Sequence, residues 1–334
     1  MEKVAVVILN YNGEQFLKKF LPSVVKHSHP HKVIVADNCS TDHSIELLNE
    51  FPSVEKVILN ENYGYAGGYN QALKQIEAEY FVLLNSDVEV TPNWLNPLTE
   101  FLDSNPAYAA AQPKILSFYN RDFFEYAGAA GGFIDTFGYP FCRGRVFDSV
   151  EKDVGQYDQV TDIFWTSGAC MMIRSEVFHQ LGGFDSEFFA HMEEIDLCWR
   201  MKSAGWKAAF IPTSSIYHVG GGTLNKTSPK KTFLNFRNGI SVLIKNLPRK
   251  KLIWILPIRI LLDWVASLLL WRNNSYDHFA AVWKAHFQSL SSSRNNINSI
   301  KRSNTAINGQ KPALIPFEYY IRGKKTYSDI NNTK

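Results

Sequence analysis

Residues 4–10 read Val4-Ala5-Val6-Val7-Ile8-Leu9-Asn10, an unbroken apolar run that ends on an amide. A short run with no polar face fits a parallel strand covered on both sides. Outward from it the alternation continues. Phe16, Leu17, Phe20, Leu21, Val24 and Val25 recur at helical spacing over 14–26. Residues 33–36 make a second strand ending on Asp37, and Thr41 or Asp42 caps a helix through Phe51. Strands over 54–59, 80–84 and 109–112 are separated by helices over 67–76 and 94–104. This alternation predicts an α/β sheet, largely parallel.

In such sheets ligands collect at the carboxyl ends of the strands. Polar clusters sit at four of these ends: Asn10 to Asn12, Asp37 to Ser40, Asn60 to Gly64, and Asn85 to Asp87. Asp87 follows an apolar strand, where a carboxylate can hold Mg²⁺ or Mn²⁺ against a diphosphate. A turn aspartate capping the next segment would look the same in isolation. Asp37 is placed to accept a hydrogen bond from a base or ribose. Asn62 to Asn70 opens a helix whose backbone N–H groups could face a phosphate or a sugar hydroxyl. A dinucleotide-binding fingerprint is absent, because Asn10-Tyr11-Asn12-Gly13 lacks the G-x-G-x-x-G spacing after the first strand. That excludes a Rossmann NAD enzyme.

The second informative stretch runs from Trp165 to Thr223. Glu193, Glu194 and Asp196 crowd a predicted helix start, behind Gly182, Gly183 and Asp185. Converging like charges raise one carboxyl toward a useful base range. Helical spacing puts Glu193 and Asp196 on one side and turns Glu194 away. Helix N-terminal acids favoured by the macrodipole account for one or two of these groups, and Asp196 has Arg200 at i+4. His218 ends a strand ahead of three glycines, a context in which backbone approaches a ligand. Residues 121–162 are irregular and rich in glycine and aromatics, and read as loops and short antiparallel strands beside an acceptor cleft.

These motifs, in this order, resemble those of the family 2 inverting glycosyltransferases, in their bacterial rhamnosyltransferase-like branch. The resemblance covers roughly residues 3–247. Residues 6–12 resemble the family's first strand, and Asp37-Asn38 its base-binding acid. Residues 62–70 resemble its N-x-G-x-A-x-G-x-N loop, and Asn85-Ser86-Asp87 a relaxed D-x-D. Gly168-Ala169-Cys170-Met171 and Gly182-Gly183-Phe184-Asp185 match the acceptor-side signature. Residues 188–197 resemble F-F-x-x-x-E-D-x-D-L, and His218 a late metal-ligand histidine. The resemblance implies an A-type glycosyltransferase (GT-A) fold, Rossmann-like, with donor and acceptor halves sharing one sheet. It implies Glu194 as the base, with Glu193 the runner-up because the usual E-D is here Glu-Glu. It implies a metal held by Asp87 and His218. Asn10, Asn12, Asp37, Asn62, Gly64, Asn70, Asn85, Ser86, Trp165, Gly168 and Asp196 are the expected substrate-binding residues. The donor would be a nucleoside-diphosphate sugar, with a dTDP-deoxyhexose such as rhamnose fitting the branch and a UDP-hexose left open. The acceptor would be a glycan or lipid-linked glycan. The competing class is a non-catalytic sugar-binding protein on a decayed transferase scaffold.

The totals agree with such an enzyme. The 334 residues are 45% hydrophobic, enough for a large core, and a net charge of +3 gives no case for nucleic acid. Four scattered cysteines, with no metal or redox spacing, read as reduced thiols of a cytoplasmic protein. Residues 1–226 are expected to form the catalytic domain and 227–291 a C-terminal helical extension, with a polar tail over 292–334. The helix over 251–271 is the most apolar stretch, broken by a stripe of Arg259, Asp263 and Ser267 and preceded by Arg249-Lys250-Lys251. It predicts peripheral attachment to an anionic surface on the cytoplasmic face of the inner membrane. A helical pair packed on the catalytic domain, or on a second copy in a homo-oligomer, is the alternative.

Overall fold

A computed structural model describes residues 1–220, 228–273, 275–296 and 310–331. The first half holds β1 (Glu2–Asn10), α1 (Glu14–Ser28), β2 (Lys32–Asp37), α2 (Ser44–Leu47), β3 (Val54–Ile58), α3 (Gly64–Leu73), β4 (Ala78–Asn85), β5 (Val88–Val90), α4 (Asn96–Ser104) and β6 (Tyr108–Ser117). Short strands follow: β7 (Gly132–Asp135), β8 (Pro140–Cys142), β9 (Arg145–Val146), β10 (Ser149–Val150) and β11 (Thr161–Ile163). Then come β12 (Cys170–Arg174), α5 (Ser175–Gln180), α6 (Glu193–Ser203) and β13 (Lys207–His218). The last elements are α7 (Pro229–Asn246), α8 (Arg249–Asn273), α9 (Tyr276–Asn296), β14 (Gln310–Lys311), α10 (Ile315–Tyr320) and α11 (Tyr327–Asn331).

The main sheet has the order β11-β13-β6-β12-β4-β1-β2-β3, with β5 added on β13. Strands β4, β1, β2 and β3 are parallel, as the alternation of strands and helices requires. The sheet as a whole is mixed rather than largely parallel. β12 lies antiparallel between β4 and β6, and β13 is antiparallel to both β5 and β11. The reason is the route of the chain. No crossover helix joins β6 to β12, so the chain re-enters from the carboxyl edge of the sheet. The intervening irregular stretch forms most of a second sheet, β10-β9-β8-β7-β14.

Both faces of β1 are covered, which explains its unbroken apolar run. Val4, Val6 and Ile8 pack with Leu17, Leu21 and Val24 of α1, while Ala5 and Val7 belong to the opposite layer with Tyr69, Ala72 and Leu73 of α3. In register, Asn10 pairs with Asp37 and Leu9 with Asn85. Three polar strand ends therefore line up along one edge. The helix expected through Phe51 is a single α turn continued by a 3-10 turn over Leu48–Glu50, stopped ahead of Pro52. Asp42 is shared: one carboxylate oxygen accepts from Ser44 N and the other from Glu14 N, each at 3.0 Å.

α8 is amphipathic in the reverse sense of a water-facing helix. Its buried residues are Ile255, Arg259, Asp263 and Ser267, one per turn. Arg259 Nε donates to Asp263 Oδ1 at 2.9 Å, and Tyr139 Oη donates to the same oxygen at 2.8 Å. His286 Nε2 of α9 lies 3.2 Å from Asp263 Oδ2. Arg259 also caps the Phe137 carbonyl at 3.0 Å, and Trp264 stacks on Trp283 of α9 at 4.5 Å. Outward stand Ile253, Trp254, Ile258, Leu261, Val265, Leu268, Leu269 and Trp271, all exposed.

Residues 310–331, read from composition as part of a polar tail, dock instead on the second sheet. β14 pairs parallel with β7, and the Ile315 amide donates to Asp135 Oδ2 at 3.0 Å. Ile315, Tyr319 and Ile330 are buried. Elements of six and five residues are too short to show a hydrophobic period, so sequence pattern gave no sign of them. The docking is testable. Ile315→Ala should lower stability by about 2–5 kcal/mol, the cost of a buried large-to-small change. An unchanged urea midpoint would mean that this segment does not hold on the protein.

Candidate active site at the carboxyl edge of the sheet

β4 ends at Asn85, and the turn Ser86-Asp87 leads straight into β5. β5 pairs antiparallel with the end of β13, Val88 opposite His218. This pairing places the imidazole of His218 beside Asp87 although the two are 131 positions apart: Nε2 lies 3.1 Å from Asp87 Oδ1. Asn85 Nδ2 stands 3.4 Å from the same ring nitrogen. The other nitrogen, Nδ1, stands 3.1 Å from Glu125 Oε2. Glu125 is a site residue that sequence reasoning missed, a lone acid in an irregular stretch with no motif around it. All three ionisable side chains are nearly inaccessible.

Burial would lower the pKa of His218, but the carboxylates of Asp87 and Glu125 outweigh it and raise it to about 10. Burial opposes ionisation of Asp87 and Glu125 too, and the facing imidazolium still holds both below the ordinary carboxylate range. The donor set suits a divalent cation. A divalent cation here would displace the proton on Nε2, with Asp87 and His218 as its two protein ligands and substrate oxygens completing its shell. Glu125 faces the far side of the ring and is no candidate ligand.

The acids of α6 differ sharply from one another. Asp196 is fully buried and its carboxylate is saturated by Arg200 Nε (2.8 Å), Asn246 Nδ2 (2.8 Å) and Lys245 Nζ (3.1 Å). It is a structural anchor between α6 and α7, not the substrate-binding group expected. Glu193 is buried with Oε2 unpartnered, while Glu194 is partly exposed. Burial raises both, Glu194 to about 7, and the charge of Glu194 drives Glu193 well above the usual range. Glu194 therefore ionises first and Glu193 stays protonated beside it.

The segment before α6 is held in an uncommon conformation. Phe189, His191 and Met192 have φ of 60, 71 and 74°, a region unfavourable for residues with a Cβ. Its carbonyls are all gripped from outside. Phe189 O accepts from Tyr65 N (2.7 Å) and Ala66 N (3.3 Å) at the start of α3. Those amides are thus closed by protein rather than open to a phosphate, and Gly64 is needed because a Cβ there would strike Phe189. Asn238 Nδ2 of α7 donates to the carbonyls of Phe188, Ala190 and His191 at 3.1, 2.9 and 2.6 Å. Arg237 caps those of Glu187 and Phe188, each at 2.8 Å. Neither was expected. The one sequence signal is a polar residue on the buried face of α7.

Other expected ligand residues also bond within the protein, with Asn12 and Asn62 exposed. Asn10 Nδ2 donates to Asp37 Oδ2 at 3.0 Å, and Asp37 Oδ1 accepts from Ser40 N at 2.8 Å; Asn10 and Asp37 are buried, while Cys39 is exposed and Ser40 partly so. Asn12 Oδ1 accepts from Thr41 N at 2.7 Å. Asn62 accepts from Asn38 Nδ2 and Gly64 N. Asn70 brackets Phe184, donating to its carbonyl at 2.7 Å and accepting from its amide at 2.9 Å. Trp165 is a core residue, its indole N–H given to Phe133 O at 2.8 Å and its ring pressed on Gly132. Gly168 O accepts from Tyr65 Oη at 2.6 Å. Asn85 and Ser86 remain partly exposed at the edge beside Asp87.

Comparison with known proteins agrees with this geometry. The family model described as Glycosyl transferase family 2 matches residues 5–182, just over half of the chain. The N-acetylglucosaminyl-diphospho-decaprenol L-rhamnosyltransferase of Mycobacterium tuberculosis is 26% identical, over 64% of this chain and 75% of its own. Rhamnosyltransferase WbbL of Escherichia coli is 23% identical, over 64% of this chain and 83% of its own. The mannosyltransferase PcManGT from Pyrobaculum calidifontis, solved with GDP-Man and Mn²⁺, superposes with a TM-score of 0.52 at 14% identity, over 89% of this chain and 83% of that one. GalNAc-T7, solved with UDP, GalNAc and Mn²⁺, gives 0.59 at 18% identity over 75% of this chain, which spans about half of that structure. At these identities the solved structures establish the fold, GT-A.

The raised pKa of Glu194 has a definite sign. A base acts only when ionised, and burial delays ionisation to about pH 7. Activity limited by proton removal should therefore rise with pH through about 7 and level above it. A kcat/KM profile already flat from the ordinary carboxylate range upward would exclude Glu194 as that base.

Proposed function

The chain belongs to glycosyl transferase family 2 and is a rhamnosyltransferase-like, nucleotide-sugar-dependent enzyme of polysaccharide synthesis, and on that premise we propose how its edge site works. Glu194 takes the proton from an acceptor hydroxyl. That oxygen bonds to the anomeric carbon from the face opposite the leaving group, the bond to the diphosphate breaks, and configuration inverts. Glu193, kept protonated, can donate a hydrogen bond without competing for the acceptor proton. Asp87 and His218 Nε2 would hold Mg²⁺ or Mn²⁺. When bound, such an ion neutralises charge on the departing nucleoside diphosphate. The observation that carries this reading is the convergence of Asp87 and His218 at one strand edge, with a partly exposed high-pKa carboxyl at the head of α6. GT-A enzymes solved with Mn²⁺ support the metal, and relatives named for rhamnosyl transfer support a deoxyhexose donor. The acceptor is a glycan, lipid-linked as the name of the mycobacterial relative indicates for that protein.

A decayed, sugar-binding scaffold would be expected to have lost one of these groups, and all are in place. Glu194→Gln should lower turnover by about 10²–10⁴ with donor binding kept, the usual worth of a general base. Asp87→Ala should remove nearly all turnover together with the Mn²⁺ dependence of donor binding by calorimetry. Full activity of Asp87→Ala in EDTA would refute the metal role, and a crippled Glu193→Gln beside an active Glu194→Gln would move the base by one residue.

The site is proposed to work at the cytoplasmic face of the inner membrane. By length and composition α8 could cross a bilayer. Its polar stripe, however, is locked into Tyr139 and His286, so in-plane attachment by the outward face fits better. Arg249, Lys250 and Lys251 at its start suit anionic headgroups, and the exposed Trp254, Trp264 and Trp271 suit the interface. The full chain should bind anionic vesicles and leave them in high salt or alkaline carbonate. A chain that stays soluble with such vesicles present would point to a second copy as the cover for this face.

A further inference from the structure

We infer that Glu125 is the positioning residue for His218, fixing which ring nitrogen faces the cation site. The inference rests on the metal reading of Asp87 and His218. The imidazole lies between two carboxylates: Nε2 is 3.1 Å from Asp87 Oδ1 in hydrogen-bond geometry, and Nδ1 is 3.1 Å from Glu125 Oε2, an ion-pair contact set off the N–H direction. Both neighbours are carboxylates with no hydrogen to donate, so the metal-free ring carries a proton on each nitrogen. A cation on the Asp87 side would displace the Nε2 proton, and Glu125 would keep the other on Nδ1, leaving the Nε2 lone pair for the ion. A histidine ligand needs such a partner on its free nitrogen, because an unheld ring rotates about χ2 and its tautomer is unfixed.

Glu125 is itself built in. Its amide donates to Ile115 O at 3.0 Å, which ties it to the edge of β6. Its Oε2 also accepts from Ala127 N at 2.6 Å. Gly220, two residues past His218 at φ 72°, leaves the space that Oε1 fills, and a Cβ there would collide with that oxygen. Three separate backbone elements thus hold the carboxylate against the ring, within ion-pair distance of Nδ1. No donor sugar or acceptor needs to reach it, since it lies behind the imidazole and is buried.

Two roles for Glu125 make opposite predictions. If it orients the ring, a hydrogen-bond acceptor at the same reach is what matters. If it only balances the charge of a buried imidazolium, a negative charge is what matters. The full-length protein should be titrated with Mn²⁺ alone, counting free Mn²⁺ by electron paramagnetic resonance. Glu125→Gln keeps an oxygen at the same reach and should stay within a few-fold of wild type. Glu125→Asp keeps the charge but falls one methylene short, and Glu125→Ala keeps neither. Both should weaken Mn²⁺ binding by about 10–100-fold, the usual cost of losing such a partner. Nitrogen-15 spectra of His218 in the Mg²⁺-loaded protein should show the proton on Nδ1 in wild type and Glu125→Gln. Tight binding by Glu125→Asp with weak binding by Glu125→Gln, or equal binding by all variants, would overturn the inference. A wild-type protein that binds no Mn²⁺ would instead sink the metal reading beneath it. If Glu125→Ala does not fold, the Gln and Asp pair decides.

Discussion

The site depends on how the turn from Phe189 to Met192, three of whose residues have positive φ, is held. Each non-glycine residue in that region costs on the order of 1 kcal/mol or more unless its surroundings over-determine it. Here they do. Phe189 O is gripped by two amides of α3, and the carbonyls of Phe188, Ala190 and His191 by the single amide group of Asn238. Three parts of the protein thereby share one joint: the helix behind the donor-side loop, the helix carrying Glu193 and Glu194, and the first helix of the C-terminal extension. Lys245 of α7 reinforces it by pairing with Asp185 and Asp196. Although α7 lies beyond the expected catalytic boundary, it shares with α3 the support of the turn into α6.

The same segment shapes the electrostatics. Turning the chain sharply at Met192 starts α6 with Glu193 inside the protein and Glu194 toward the edge. One carboxyl is held neutral by burial and by its neighbour, and the other is left to ionise near neutrality. A short distance along the helix, Asp196 shows the contrary outcome, because a guanidinium, an ammonium and an amide saturate it. Three acids within four positions therefore have three different states, set by what faces each one.

The α/β alternation, the catalytic motifs and the late helices were legible because each leaves a local pattern. Asp87 and His218 were brought together in the sequence only by the family resemblance and not by any local pattern, since their meeting depends on the β5–β13 pairing across 131 positions. Trp165, Asn70 and Asp196 were read toward substrate because motifs name residue types, not whether their polar atoms are already taken. The indole of Trp165 is closed by Phe133 O, the amide of Asn70 by Phe184, and the carboxylate of Asp196 by Arg200 and Asn246. Glu125 and Asn238 act through contacts with residues far off in sequence, which no motif around either marks.

α8 closes the argument from the opposite end of the chain. Its Arg259 approaches α7 at Gly239, where a Cβ would lie 3.1 Å from the guanidinium, and Met192 packs against the same glycine. Gly239 thus lets α8 lie close to the neighbour of Asn238, so the polar stripe of α8 and the turn before Glu193 meet on one residue of α7. The apolar face of α8 is consequently on the opposite side of that helix from the contact with Gly239. If that face rests on lipid as proposed, the base is braced against the surface that carries the acceptor. The buried Arg259–Asp263–His286 network then has a clear physical purpose: it satisfies the polar stripe internally, so that only apolar side chains need to face the bilayer.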